Sequence, residues 1–313
     1  MADDFSTLAG LVLINDQNTA DLDLSDLLDD APLLAQLPAD IASNGTTHKY
    51  LKQTGAPVVG FRSVNDGREN DVSVDTLVSV DCKILDGSFV VDKALADGYR
   101  LGKDAYIARE AARHLKASFA IAEKQYLSGT VHGAAAGFTG LANSTGLDAV
   151  ADAMVVNAAG TTASTGSSVF AMRAGADLND VVAIAGEGGK IEIGETVSQR
   201  VEGTTGWYAG YWTPIQAWMA MQIGGAKSVG RIANLTEDSG KGLTDDLIAE
   251  LLAAFPASRM PNVLSMSRRS LRQLQQSRTA TNSTGAPAPF PTEAFGVQIV
   301  VTDGQVDTET LIA

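Results

Sequence analysis

Residues 103–128, KDAYIAREAARHLKASFAIAEKQYLS, carry the clearest helical periodicity in this chain of 313 residues. Apolar side chains recur three or four positions apart, as on the buried face of an amphipathic helix. They are Ala105, Ala108, Ala112, Leu115, Phe119, Ala122 and Tyr126. Gly129 follows at the position where helices often end in a left-handed residue. At 1.5 Å per residue, the stretch predicts one strut about 40 Å long.

The charged residues of this helix fall off the apolar stripe. We therefore expect their side chains to lie in water, as is usual for the polar face of a surface helix. They are Arg109, Arg113, Lys116, Glu123 and Lys124.

Upstream of the helix, residues 49–94 have the pattern of a long β-hairpin. From Val78 to Ile84, apolar and polar residues alternate with the two-residue period of a strand that has one wet face. Asp86-Gly87 then predicts a turn into a second apolar run at 89–91. Because a two-stranded ribbon is marginally stable alone in water, it must lie on its own domain or on an adjacent molecule.

The first 48 residues have the character of an arm rather than a domain. Residues 21–28, DLDLSDLL, could form a short helix with a narrow apolar stripe. Asp30 can cap a second short helix, which has Pro32 in its first turn and carries Leu33 and Leu34. Two interpretations stay open, since these leucines could pack on their own subunit or on a neighbour.

The rest of the chain alternates between strands and helices, so the predicted class is α+β. Expected strands are 169–172, 181–185, 190–193, 207–223, 228–235, 262–266 and 297–302, with helices at 147–156, after the N-cap Thr244, and at 267–277. Trp207, Trp212 and Trp218 fall in one block, which favours the core of a sheet.

Composition excludes several functional classes. The formal net charge of −14 has the wrong sign for a protein that seeks phosphate backbones. No apolar run reaches the roughly 18 residues that span a bilayer, and the acidic start lacks the basic region of a secretory signal, so we expect a cytoplasmic product. Cys82 is the single cysteine, which rules out an internal disulfide framework and a cysteine-based zinc cluster.

Motifs for catalysis, cofactors and metals are not found in the sequence. His48, His114 and His132 stand in different predicted elements without partners at metal-ligand spacing. No GxSxG elbow occurs, and the glycine-rich runs near Lys190 and Lys241 lack the first glycine of a phosphate-binding loop. We therefore expect no enzyme activity, no cofactor and no metal.

One helix is basic within the acidic chain. Arg268, Arg269, Arg272 and Arg278 cluster in and just after residues 267–277. The cluster could touch nucleic acid, but ion pairs with an acidic surface of a neighbouring subunit give the same pattern and are favoured.

The order of elements and three stretches of sequence resemble the major capsid proteins of tailed bacteriophages of the Hong Kong 97 type. The stretches are GFTGLAN at 137–143; the segment from Trp218 through SVGRIANL at 228–235; and MSRRSL at 266–271 with FGVQIVVTD at 295–303. The resemblance implies an N-terminal arm at 1–48 and an E-loop hairpin at 49–94. It also implies a P domain at 95–135 and 165–238 with a spine helix at 103–128, and an A domain at 136–164 and 239–313. In the type form of the family the A-domain segment precedes the last P-domain strands, whereas here it comes last.

The resemblance implies a structural protein that self-assembles as hexamers and pentamers into an icosahedral shell around double-stranded DNA. The shell would form in the host cytoplasm, become the capsid of the virion, and could involve scaffolding, portal or decoration proteins, but no membrane. Expected contacts between subunits are Leu33, Leu34, Asp66, Arg68, Val78, Val80, Arg109 and Arg113. The alternatives are the shell of an encapsulin-type nanocompartment and, in another class, a soluble α/β enzyme with an unrecognised site.

Overall fold

The computed structural model describes residues 30–55, 57–69, 71–177, 179–189, 191–280 and 286–313. The short helix predicted at 21–28 lies outside these residues. The helices are α1 (Lys93–Asp97), α2 (Lys103–His132), α3 (Asp245–Ala253) and α4 (Arg268–Ala280). The strands are β1 (Ala39–Ile41), β2 (Thr47–Gly55), β3 (Val74–Asp81), β4 (Lys83–Asp86), β5 (Phe89–Asp92), β6 (Val155–Asn157), β7 (Ser167–Met172), β8 (Val181–Ala185), β9 (Ile191–Ile193), β10 (Val197–Gly203), β11 (Gly206–Thr213), β12 (Ile215–Ile223), β13 (Val229–Leu235), β14 (Val263–Met266), β15 (Glu293–Ala294) and β16 (Val297–Val301).

A six-stranded mixed sheet has the order β15-β16-β14-β7-β13-β6 and contributes to the main core. Every residue of β7, β13 and β14 is buried, as expected for central strands covered on both faces. The sheet joins strands from both sides of the boundary predicted at 238/239. That boundary between P and A segments therefore does not divide the sheets.

A second sheet has the order β1-β8-β12-β4, with β9 also paired to β12. It is bonded to the long helix α2 by the Tyr126 hydroxyl, which donates to the Ala220 carbonyl at 3.0 Å. A third, three-stranded sheet has the order β10-β11-β5. The third sheet holds the first half of the tryptophan block, and Trp207 is exposed at its tip rather than in the predicted core.

Helix α2 confirms the predicted strut. Leu115, Phe119 and Tyr126 are buried, whereas Ala105 at the N-terminal end of the stripe is exposed. Regular helical geometry breaks at Gly129, where φ is 58° and ψ is −146°. The positive φ was predicted, but the ψ lies outside the left-handed helical region. A Cβ at Gly129 would clash with the Asn143 side-chain oxygen, so only glycine fits this break.

The hairpin lies one strand earlier than predicted. β2 and β3 pair antiparallel from Thr47↔Asp81 to Gly55↔Val74 and form a two-stranded ribbon. After Cys82 the chain enters the body, where β4 pairs with β12 and β5 pairs with β11. Asp86-Gly87 therefore connects two different sheets, and the expected hairpin at this turn is wrong. The run 58–64, which falls within the predicted hairpin segment, belongs to the loop between β2 and β3.

The short helix predicted at 147–156 is also wrong. The segment forms consecutive turns and then β6. The Asp152 carboxylate accepts the Ala149 amide at 3.0 Å, which closes a local turn in place of a helical hydrogen bond.

The C-terminal α/β part follows the sequence prediction closely. The Thr244 hydroxyl caps α3 by accepting the Leu247 amide, and Ile248 and Leu251 are fully buried. β14, α4 and β16 follow at the expected positions, with β14 and β16 parallel.

Candidate assembly surface

The loop that joins β2 to β3 exposes an unusual number of apolar side chains. Phe61 has a relative exposure of 108%, and the exposed valines of the loop are Val58, Val59, Val64 and Val72. Single exposed apolar residues are normal, but a contiguous group of this kind marks an interaction site.

Two charged residues lie in the same loop. Asp66 and Arg68 are exposed, as expected for contact residues, and the Asp66 carbonyl accepts Arg62 Nη1 at 3.1 Å. On the other side of the loop, the Asp71 carboxylate accepts the Val58 amide at 3.2 Å. These bonds hold the loop together internally while its side chains remain outside.

The root of the ribbon is fixed to the subunit. A ring nitrogen of His48 lies 2.7 Å from the Gln222 side-chain oxygen, and the Tyr50 hydroxyl donates to the Ile223 carbonyl at 3.2 Å. Burial raises the pKa of Tyr50. Val80 packs on the small cluster around Cys82, so part of its surface belongs to its own subunit.

A groove of about 590 Å³ lies between the ribbon root and the body. Val78, Tyr50 and Lys52 line it on the ribbon side, and Phe138 and Met221 line it on the body side. Val78 is half-buried, so it keeps the accessible surface that a contact residue needs.

Leu33 and Leu34 are not contacts with a neighbour, contrary to the expectation. They are 0% and 1% exposed within the isolated subunit. Their amides donate to Glu123 Oε2 of α2, at 2.7 Å for Leu33 and 3.1 Å for Leu34. The interpretation in which this part of the arm packs on its own subunit is therefore correct.

Glu123 was expected in water and is instead fully buried. Besides the two leucine amides, its carboxyl group accepts the hydroxyl of Thr302, which follows β16. Glu123 thus caps the free amides of the arm turn from a different element and ties the arm, α2 and the C-terminal segment together. Burial raises its pKa, and nearby Asp303 adds to the rise, although the three hydrogen bonds oppose it.

The raised pKa of Glu123 gives a stability prediction with a definite sign. The folded state binds the proton more tightly than the unfolded state, whose pKa is near the ordinary 4.5. The contribution of protonated Glu123 to the free energy of unfolding is therefore complete below about pH 4.5 and is lost as pH rises through the pKa of the folded state. We expect the unfolding free energy of the wild type, relative to Glu123→Gln, to fall as pH rises through this window. Urea titrations at several pH values measure the difference, and a difference that rises with pH contradicts the assignment.

Arg109 and Arg113 are both exposed on α2 and already have partners in the subunit. The Arg109 guanidinium lies 5.1 Å from the Tyr99 ring centroid and 5.0 Å from that of Tyr106. Both arginines reach the Glu110 carboxylate, at 3.6 Å from Arg109 and 2.8 Å from Arg113. Their outer faces remain open to solvent.

The basic helix α4 is neutralised by acids of its own subunit. The ion pairs are Arg268–Asp303, Arg269–Asp307, Arg272–Glu237 and Arg278–Asp245. The cluster therefore has acidic partners, as favoured from the sequence, but they lie within the chain instead of on a neighbour. This pairing weighs against α4 as a site for nucleic acid.

Sequence reasoning missed the aromatic tip of the third sheet. Arg200 lies over the exposed Trp207 ring at 4.3 Å from its centroid, and the tryptophan block had suggested only a core. Within the described ranges, no group of three or more His, Cys, Asp or Glu side chains is placed to hold a metal ion. No helix of the described chain is long and apolar enough to span a membrane.

One of the solved structures that match this chain supports the fold. A chain of bacteriophage Epsilon15 matches with a TM-score of 0.61 and 17% identity, over 88% of this chain and 87% of that chain. The procapsid of bacteriophage JBD30 matches at TM-score 0.45 and 10% identity, covering 90% and 94%. The SrpI encapsulin of Synechococcus elongatus PCC 7942 matches at TM-score 0.45 and 8% identity, covering 66% and 89%. None of the curated proteins matches.

The comparison with family models identifies the family of this chain. The model described as major capsid protein GP7 matches residues 16–284, which is most of the chain. Together with the Epsilon15 likeness, this match confirms the expected fold of the Hong Kong 97 type and the expected class of structural protein. This chain belongs to the major capsid protein GP7 family.

Proposed function

We propose that this capsid protein self-assembles as hexamers and pentamers into an icosahedral shell that encloses the double-stranded DNA of a tailed phage. The observation that carries the proposal is the apolar loop between β2 and β3, in which Phe61 and four valines are exposed on an isolated subunit. A second copy that covered this loop would remove its apolar surface from water.

Burial supplies the driving force in this proposal. Fully burying a valine or phenylalanine side chain contributes about 1.5–3 kcal/mol relative to leaving it exposed. Because association also costs translational and side-chain entropy, one such contact is weak. Closed symmetry repeats the contact over many copies, so the shell is stable although each interface is modest.

Particular residues of the ribbon take defined roles in the proposed contact. Asp66 and Arg68 have exposed charged groups that fix the orientation of the loop on its neighbour. Val78 and the accessible part of Val80 adjoin the groove at the ribbon root, where a segment of a neighbour can be received.

The proposed cargo is enclosed rather than bound. The chain has a net charge of −14, and the four arginines of α4 have acidic partners within the subunit. Attraction between this chain and phosphate is therefore weak. We propose that the subunits assemble in the host cytoplasm, with or without a scaffolding protein. DNA then enters the shell through partner proteins such as a portal.

Electron microscopy of the purified chain tests the proposal. We expect closed particles or capsomer-like rings in negative stain. A species that stays monomeric across protein concentration and salt contradicts the proposal. Particles isolated from the native source distinguish the cargo, since packaged double-stranded DNA supports it and an enclosed enzyme in place of DNA supports a nanocompartment.

A further inference from the structure

Strand β10 is an open edge of the third sheet. It lies at the end of the order β10-β11-β5, and no other strand of the described chain pairs with it. Its residues are exposed except Val201 and Gly203, which are half-buried. β10 contains no proline or lysine and pairs with β11 without a bulge, so it lacks devices by which proteins commonly block an edge. An edge of this kind can accept a further strand.

The hairpin turn after β10 decides which of its backbone groups are free. Gly203 pairs with Gly206 across a two-residue loop, and the two residues that flank such a loop exchange both of their backbone hydrogen bonds. Because hydrogen-bonded positions alternate along an antiparallel strand, the odd-numbered residues of β10 bond to β11. The amides and carbonyls of Ser198, Arg200 and Glu202 therefore point away from the sheet, towards the open edge.

The side chains of β10 form a different row on each face of the sheet. Arg200 and Glu202 share the face that carries Trp207, and the Arg200 guanidinium lies 4.3 Å from the centroid of the Trp207 ring. Val201 points to the opposite face, where it lies directly across from Tyr208 of β11. The open edge thus presents a cation and an anion on either side of a central valine.

We propose that β10 pairs antiparallel with β10 of a second copy of this chain, across a two-fold axis centred on Val201. In this register Arg200 of each strand lies opposite Glu202 of the other, and Val201 lies opposite its own counterpart. The pairing joins two three-stranded sheets into one continuous sheet. It rests on the proposed function and deepens it, because it names a second contact between subunits of the shell.

Backbone and side chains select this register and a second copy as the partner. Arg200 and Glu202 both have outward backbone groups, so the opposed residues can exchange both hydrogen bonds. An axis on Arg200 or Glu202 would place like charges face to face, which destabilises a strand pair, and an axis on Gln199 would leave both charges opposite uncharged residues. On the other face, the chosen register aligns Val201 and Tyr208 of both copies in one row of favourable cross-strand neighbours. The edge is therefore complementary to itself, as a two-fold contact requires.

Disulfide trapping tests the pairing on the full chain without changing its charges. In a Cys82→Ala background, Val201→Cys brings two Cα atoms to about 4.5 Å across the axis, a separation that a disulfide spans. The matched control is Gln199→Cys, on the same face of the same strand, whose counterpart lies out of register at roughly 13 Å, too far for a disulfide. After mild oxidation, we expect crosslinked dimers from Val201→Cys at least several-fold above the control on a non-reducing denaturing gel.

The gel and negative stain of the same samples separate this pairing from shell formation. Absence of dimers from Val201→Cys, or a yield no higher than that of Gln199→Cys, overturns the pairing. Particles without crosslinked dimers overturn the pairing and leave the proposed function standing. Dimers without particles support the pairing and contradict the shell.

Charge exchange provides a second measurement that needs no cysteine. Arg200→Glu alone opposes carboxylates across the axis and Glu202→Arg alone opposes guanidinium groups, so each variant should associate several-fold more weakly than the wild type in sedimentation at low salt. An equal mixture of the two variants restores opposite charges only between different chains and should recover the association. The chain that carries both exchanges should recover it as well. Single variants that associate like the wild type, or a mixture that sediments as the average of its components, overturn the pairing.

Discussion

Subunits with Val59→Ser, Phe61→Ser and Val64→Ser are expected to remain folded and to form no shells. The three side chains are 82%, 108% and 89% exposed, so they contribute little to the stability of the isolated subunit. In the proposed assembly they are buried by a neighbour, and each replacement removes roughly 1.5–3 kcal/mol of apolar burial per contact. Repetition over the shell makes the combined loss decisive.

Size-exclusion chromatography and negative stain measure the assembly, and the thermal midpoint measures the fold. Leu95→Ser with Leu101→Ser is the matched control, because both leucines are exposed, at 58% and 64%, but lie outside the loop. Control subunits should assemble. Normal shells from the triple variant would remove the role assigned to the loop.

Arg231→Met is expected to destabilise the subunit by about 3–5 kcal/mol, the usual cost of breaking a buried ion pair on one side. Arg231 and Glu309 are each 3% exposed in their side chains and lie 3.0 Å apart. The same guanidinium donates to the carbonyls of Ala142 and Leu147 and to the Ser168 hydroxyl. The variant therefore leaves the two carbonyls without this donor and the buried Glu309 carboxylate without its cation, although Ser168 and Gln305 still donate to that carboxylate.

Urea denaturation of the unassembled subunit measures this loss. Arg268→Met is the control, since its pair with Asp303 is about three-quarters exposed on both sides and should cost no more than about 1 kcal/mol. Adding Glu309→Gln to Arg231→Met should recover part of the loss by removing the unpaired charge. A loss for Arg231→Met no larger than that of the control would refute this account of the pair.

Local signals in the sequence predicted the helices well. The stripe through Leu115, Phe119 and Tyr126 predicted α2, and Thr244 with two aspartates behind it predicted the start of α3. Both signals act within a few residues, through helical periodicity and a side-chain cap, so no distant partner is needed to recognise them.

Strand partners could not be predicted in the same way. Asp86-Gly87 has the composition of a hairpin turn, yet β4 and β5 pair with β12 and β11, more than a hundred residues away. Likewise, one sheet combines strands on both sides of 238/239 because β7 pairs with both β13 and β14. A two-residue period shows that a strand has one wet face but not which strand lies beside it.

The residues expected at subunit contacts, together with Glu123, show the same difference between local signals and distant partners. Asp66 and Arg68, expected at a subunit contact, are exposed in the loop between β2 and β3. The apolar side chains of Leu33 and Leu34 are covered by their own subunit. Glu123 lies on the predicted polar face of α2, but the arm covers it through the amides of Leu33 and Leu34. In both cases the local pattern separates apolar from polar positions, while the identity of the covering segment depends on tertiary structure.

The ribbon β2–β3 is held at one end only. Its root is bonded to the body through His48 and Tyr50, and within the described chain no strand besides its partner pairs with either ribbon strand. Bending beyond Tyr50 therefore costs no hydrogen bond of the three body sheets. In a closed shell of the proposed kind, identical subunits meet their neighbours at unequal angles. A ribbon attached at one end can adjust to each angle while the rest of the subunit keeps one conformation.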